Sequence, residues 1–145
     1  GHTFAQFNLG TLYDNGNGVP KNKAEALKWY HLAAERGNDG AQFNVGALHF
    51  AGVAVSQNRI EAAKWFRRAA DQGHIGAQVY LGLCYATGLG VPQDNIQAYM
   101  WLSLAAARSD QDAISNRNRV AQQMTPAQIA EAQKLAVDWK SKPER

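Results

Sequence analysis

A unit of thirty-six residues recurs three times without a gap, over residues 5–40, 41–76 and 77–112. The copies open AQFNLG, AQFNVG and AQVYLG, and each carries a tryptophan at the same register: Trp29, Trp65 and Trp101. The first two copies agree at 17 of 36 positions and the second and third at 11, where chance matching at average residue usage gives only about two. So strict a period restricts the chain to a repeat architecture, in which each unit buries its hydrophobic face against its neighbours and no single central core forms.

Within a unit the spacing predicts two helices. Ala5, Leu9, Leu12 and Tyr13 follow i, i+4, i+7, i+8, the stripe of an amphipathic helix, here termed helix A. This stripe is expected to face the second helix of the unit. Gly10, Gly46 and Gly82 fall mid-helix at a cost of about 1 kcal/mol each relative to Ala, which points to close approach by another backbone. Gly16, Gly52 and Gly88 are expected to end helix A in a left-handed cap. Asn22, Asn58 and Asp94, each followed three residues later by Glu25, Glu61 and Gln97, carry the capping signature that opens helix B. The inner face of helix B reads Ala26, Trp29, Tyr30, Ala33, Ala34 and then Ala62, Trp65, Phe66, Ala69, Ala70. A buried aromatic removes roughly 150–250 Å² from water, about 4–6 kcal/mol gross, so the tryptophans are expected in the core.

The period decays after the third copy. Residues 113–140 read as a degenerate capping helix pair, its second helix opened by Thr125-Pro126 and backed by polar residues, as the open end of a repeat array requires. Residues 141–145 are expected to fray. Gly1 stands in the register of the turn glycines Gly37 and Gly73, so residues 1–4 read as the remnant turn of a preceding repeat and the chain as the C-terminal part of a longer protein.

Composition narrows the function. The net charge is only +3, and the basic residues are scattered where a nucleic-acid surface would group them. No apolar run reaches the length of a membrane span, so direct membrane insertion is not expected. The single cysteine, Cys84, excludes an internal disulfide and reads as a buried thiol. His2, His31, His49 and His74 lack the i, i+4 spacing of a helical zinc site; His49 reads as a partly buried substitute for tyrosine, and His2 and His74 as exposed turn residues. Glu25 and Glu61 are accounted for by capping, and the loops GNGVP and GLGVP lack the Lys and Ser or Thr of a phosphate-binding loop. No catalytic residue, metal ligand or cofactor is expected, and the chain reads as no enzyme.

The pattern AQxxLGxxY, a GxGVPQD-like loop and AxxWxxxAAxxG, held in three consecutive copies, resembles the Sel-one-like repeat family, thirty-six-residue relatives of the tetratricopeptide repeats. The tail YMWLSLAA followed by MTPAQIAEAQKLA resembles the closure of bacterial members. The resemblance implies an all-α, right-handed superhelix (solenoid) of about four antiparallel helix pairs that serves as an adaptor or scaffold, binding a protein or peptide in a concave groove lined by the A helices. It leans slightly toward an exported or periplasmic setting, the compartment otherwise being open; a monomer is the favoured oligomeric state. It disfavours the cysteine-rich branch linked to penicillin binding and β-lactamase activity, whose cysteines this chain lacks.

That implied groove, placed by a helical wheel on the side of helix A turned away from helix B, comprises Phe7, Thr11 and Asp14, then Phe43, Ala47 and Phe50, then Val79, Leu83 and Ala86. Apolar side chains dominate it, which suits the apolar face of a helix or an extended peptide. Equally, the recurring positions Phe7, Phe43 and Val79 read as packing between adjoining repeats. Asn8, Asn44 and Tyr80 are candidates for the groove edge. Alternative expectations are a cell-envelope module that binds glycan or peptidoglycan, and a structural spacer in a larger signalling or polarity protein.

Overall fold

The computed structural model describes residues 1–143; Glu144 and Arg145, at the end of the tail expected to fray, lie outside the described residues. Eight helices are present among the described residues, with no strand: α1 His2–Asn15, α2 Lys23–Glu35, α3 Asp39–Ala51, α4 Arg59–Asp71, α5 Ile75–Thr87, α6 Asn95–Ala106, α7 Gln111–Ala121 and α8 Pro126–Lys140. The chain forms two compact units, Gly1–Ala69 and Ala70–Arg145.

Local chemistry sets the helix ends. Gly16, Gly52 and Gly88 close α1, α3 and α5 at φ 73° each, their N–H groups donating to the carbonyls of Leu12, Leu48 and Cys84. The Asn22 and Asn58 side chains accept from the N–H groups of Glu25 and Glu61 at 3.1 and 3.0 Å, and Asp94 accepts from Ile96 and Gln97. A second capping series recurs at Asn38, His74 and Asp110, which accept from Ala41, Ala77 and Ala113. His74 is thus half-buried and caps α5 through Nδ1, where the turn register alone suggested an exposed residue. At Thr125 both bonds of a capping box form with Gln128.

In the first unit α3 lies between α2 and α4 and uses a different face for each. Toward α2 it turns Ala41 and Val45, packed with Ala26, Tyr30, Ala33 and Ala34, while Gln42 Nε2 donates to the Ala34 carbonyl at 3.1 Å. Toward α4 it turns Gly46, where an added Cβ would stand 2.8 Å from the Phe66 ring and 3.3 Å from the Ala62 carbonyl. The stripe represented by Ala41, Val45 and Leu48 therefore serves the preceding helix B, and the glycine face serves the repeat's own. This corrects the expectation that the stripe faces its own partner. The matching stripe on α1 is less covered: Leu12 is 38% exposed and Ala5 is exposed, while Leu9 is half-buried and Tyr13 packs partly on the core. Trp29 is likewise only half-buried, whereas Trp65 and Trp101 are buried as expected.

In the second unit α6 touches α5, α7 and α8. Val79, Ala98, Tyr99, Leu102, Ala105, Ala113, Val120 and Ala132 form its core. Gly82 approaches Leu102 as Gly46 approaches Phe66, with 2.7 Å from a built Cβ to Leu102 Cγ. Trp139 meets the edge of Trp101 at 6.1 Å between ring centroids, fastening α8.

Because backbone Ala62 and the Phe66 ring both abut Gly46, Gly46→Ala is expected to lose about 1–3 kcal/mol to overpacking, although helix propensity alone favours Ala by about 1 kcal/mol. Urea denaturation followed by circular dichroism measures this, and a stability gain would show that the Phe66 ring moves aside freely.

Candidate functional site

The expected groove residues converge on one position of helix B, occupied by Tyr30, Phe66 and Leu102 in the three copies. In the first, the Tyr30 hydroxyl donates to Asp14 Oδ2 at 3.1 Å and reaches Thr11 Oγ1 at 3.5 Å, and the Phe7 ring lies 5.8 Å from the Tyr30 ring. Asp14 also pairs with the Lys23 ammonium, and Asn44 stands in hydrogen-bonding reach of the phenol. Burial raises the Tyr30 pKa above its ordinary value; the Thr11 hydrogen bond acts against this, and the Asp14 charge adds to it. In the second copy Phe43 and Phe50 flank Phe66 at 5.8 and 6.2 Å, and the Arg59 guanidinium sits 5.0 Å over the Phe50 ring.

Phe7, Thr11, Asp14, Phe43 and Phe50 therefore touch their own helix B, and the wheel's assignment of them to the far side is corrected. Its error was to take the Leu9–Tyr13 stripe as the partner-facing side, when the glycine face holds that place. All five keep partial exposure, as does Ala47. Val79 is buried in the core of the second unit, which makes it framework. Asn8 and Tyr80 are exposed, while Asn44 is half-buried toward Tyr30.

The third copy differs. Leu83 and Ala86 pack partly on the core and also form the floor, with Val120, of an open cleft of about 220 Å³. Asn95, Asn116, Arg119 and Gln123 make its polar wall. Sequence reasoning missed Lys23, Arg59, Asn95 and the α7 residues. The first three occupy one register, so aligning position 14 with position 23 in each copy would have shown the pairs Asp14–Lys23, Phe50–Arg59 and Ala86–Asn95. Asn116 and Arg119 carried no such signal, since the period has decayed by α7.

A larger cleft, about 380 Å³, is bounded by Gly73, Gln78, Leu104, Arg108, Trp139 and Lys140. It lies where α6 and α8 end, and Arg108 already donates to the Gly73 carbonyl at 3.2 Å, so its cations serve helix C-termini. Among the described residues no group of three or more His, Cys, Asp or Glu side chains gathers as a metal site requires, and no helix is long and apolar enough to cross a membrane.

Two outcomes follow from the clustering. The native Tyr30 phenol keeps its proton to higher pH than the unfolded chain, so its contribution is whole below about pH 10 and is lost as pH rises beyond that. Tyr30→Phe is expected to cost about 1–2 kcal/mol at pH 7 and to decline less steeply than the parent between pH 9 and 11; equal slopes in urea titrations would refute the assignment. Phe50→Asp is expected to cost about 1–3 kcal/mol through lost packing. Adding Phe66→Tyr supplies the phenol that Asp14 enjoys, so a double-mutant cycle should show favourable coupling of about 0.5–1 kcal/mol; additive effects would mean the first-copy arrangement is not transferable.

The chain was compared with known proteins. The family model described as Sel1 repeat matches residues 3–38, 40–74 and 75–110. No curated protein matches. A Sel1 repeat protein from Oxalobacter formigenes is 39% identical with a TM-score of 0.76, over 79% of this chain and 47% of that one. A protective antigen of uropathogenic Escherichia coli displaying an SLR fold is 30% identical with a TM-score of 0.79, over 94% of this chain and 37% of that one. This chain thus spans less than half the length of either. Helicobacter pylori cysteine rich protein B shares the fold at 19% identity and a TM-score of 0.66, over 79% of this chain and 87% of that one. The fold class is that of an all-α repeat solenoid, and Sel1 repeat proteins generally act as protein-interaction scaffolds. With three matched repeats spread over most of its length, the chain belongs to the Sel1 repeat family.

Proposed function

We propose that this chain is a non-catalytic scaffold that binds an extended peptide segment of a partner protein. The observation that carries the reading is the cleft floored by Leu83, Ala86 and Val120. It combines an apolar floor with carboxamide side chains from Asn95, Asn116 and Gln123, which can orient a peptide backbone by hydrogen bonds. Within the first unit, taken by itself, the half-exposed edges of Phe7, Phe43, Ala47 and Phe50 offer a separate apolar surface. Their anchorage on helix B makes those edges rigid, which lowers the entropy lost when a ligand settles on them. Thr11 and Asp14 are held by Tyr30 in the same manner and would contribute a polar contact.

The test is selection from a displayed library of random octapeptides against the folded chain, with a Leu83→Glu variant as counter-target. Enriched peptides are expected to bind the parent at least tenfold more tightly than the variant, whose helical spectrum should be intact. Absence of enrichment over an unrelated helical-repeat control would overturn the reading, as would equal binding by Leu83→Glu.

A further inference from the structure

One register of the repeat is filled differently in each copy, and the third copy leaves it open. In the first, the Asp14 carboxylate enters from helix A and meets Lys23 and Tyr30. In the second, the Phe50 ring enters from the same position and lies between Phe66 and the Arg59 guanidinium. In the third, the residues at the first two positions are the shorter Ala86 and Asn95, and both line the cleft of about 220 Å³, while Leu102 is fully buried in the core. What the chain's own side chains provide twice is absent there, which leaves room for a group from outside.

The walls say what would fit. Arg119 brings a full positive charge to the rim, and Asn95 and Gln123 bring amide donors, while the Asn116 amide already donates to the Asp112 carbonyl at 2.8 Å. No Asp or Glu is among the residues that line the cleft. The adjacent Asp94 accepts from the N–H groups of Ile96 and Gln97, which holds it at the start of α6 but leaves its charge in place. The floor of Leu83, Ala86 and Val120 suits a short methylene stem. An occupant with an aliphatic stem and a terminal carboxylate matches both layers, and its charge finds a cation where a lysine or arginine would be repelled. Resting on the peptide-binding reading above, we propose that this cleft takes an acidic side chain, Glu in preference to Asp, of an extended polypeptide, with Arg119 as its counter-charge and Ala86 as the residue whose smallness keeps the cleft open.

The experiment is fluorescence anisotropy with three labelled octapeptides in which Leu alternates with Glu, with Gln or with Lys. The parent chain is expected to bind the Glu peptide at least fivefold more tightly than the Gln peptide and the Lys peptide most weakly, with the Glu preference shrinking as salt rises. Ala86→Phe rebuilds the second-copy plug and should abolish Glu-peptide binding with melting temperature unchanged. Should that variant pack poorly, Arg119→Glu, on an exposed residue, should reverse the order of the Glu and Lys peptides. Equal binding of Glu and Gln peptides would overturn the acidic assignment and leave the scaffold reading standing. The same holds if a folded Ala86→Phe variant binds like the parent, or if none of the three binds while the random library yields other ligands. Binding of oligogalacturonate in place of every peptide would replace the polypeptide with an acidic glycan. Failure of both the defined peptides and the library would remove the scaffold reading itself.

Discussion

The structure turns on how near helix A comes to helix B at Gly10, Gly46 and Gly82. Built Cβ atoms there would lie 2.5 Å from Tyr30, 2.8 Å from Phe66 and 2.7 Å from Leu102, distances that side chains do not tolerate. A glycine in mid-helix weakens the isolated helix by about 1 kcal/mol relative to Ala, and the pairing recovers this by seating a large side chain directly on the backbone. Once that contact is set, the residues one turn to either side on helix A must flank the same side chain. Phe7 and Asp14 flank Tyr30, and Phe43 and Phe50 flank Phe66.

The second consequence concerns what the opposite stripe does. Because α3 gives its glycine face to α4, its Val45 stripe is left for α2, and Gln42 ties that contact by reaching the Ala34 carbonyl at the end of α2. Gln78 repeats the gesture to Ala70 at 3.3 Å. Each of these helix-end carbonyls also accepts from a turn glycine, Gly37 at 3.0 Å and Gly73 at 2.9 Å, so the buried glutamine adds a second hydrogen bond that ties the next helix to the end of the preceding one.

This explains which parts of the molecule could be read from sequence. Period, helix ends and packing glycines each depend on one residue type at one register, and Gly16, Gly52 and Gly88 announce themselves. Facing direction does not, since the stripes on helix A are both apolar and a wheel cannot say which neighbour each one meets. Assigning Leu9 and Tyr13 to the wrong neighbour displaced Phe7, Thr11 and Asp14 from their contact with Tyr30. The cleft at Ala86 was harder still, because it arises from what is missing. Small residues at 86 and 95 look unremarkable until Phe50 and Arg59 are seen to fill the same register, and Arg119 belongs to a helix outside the period.

Such a cleft cannot hold a ligand alone. Two buried methylenes of an acidic side chain contribute about 1.6 kcal/mol, and a rim charge pair with an exposed arginine adds about 0.2–1 kcal/mol. Association of a free peptide costs roughly 4 kcal/mol at the very least. The shortfall must be met by main-chain hydrogen bonds and by further side chains of the same ligand, so an extended segment fits the energetics and an isolated acid does not. The cleft then acts as a selector within a longer contact. On the proposed reading it decides which segments are retained, while the rest of the same segment supplies the remaining contact.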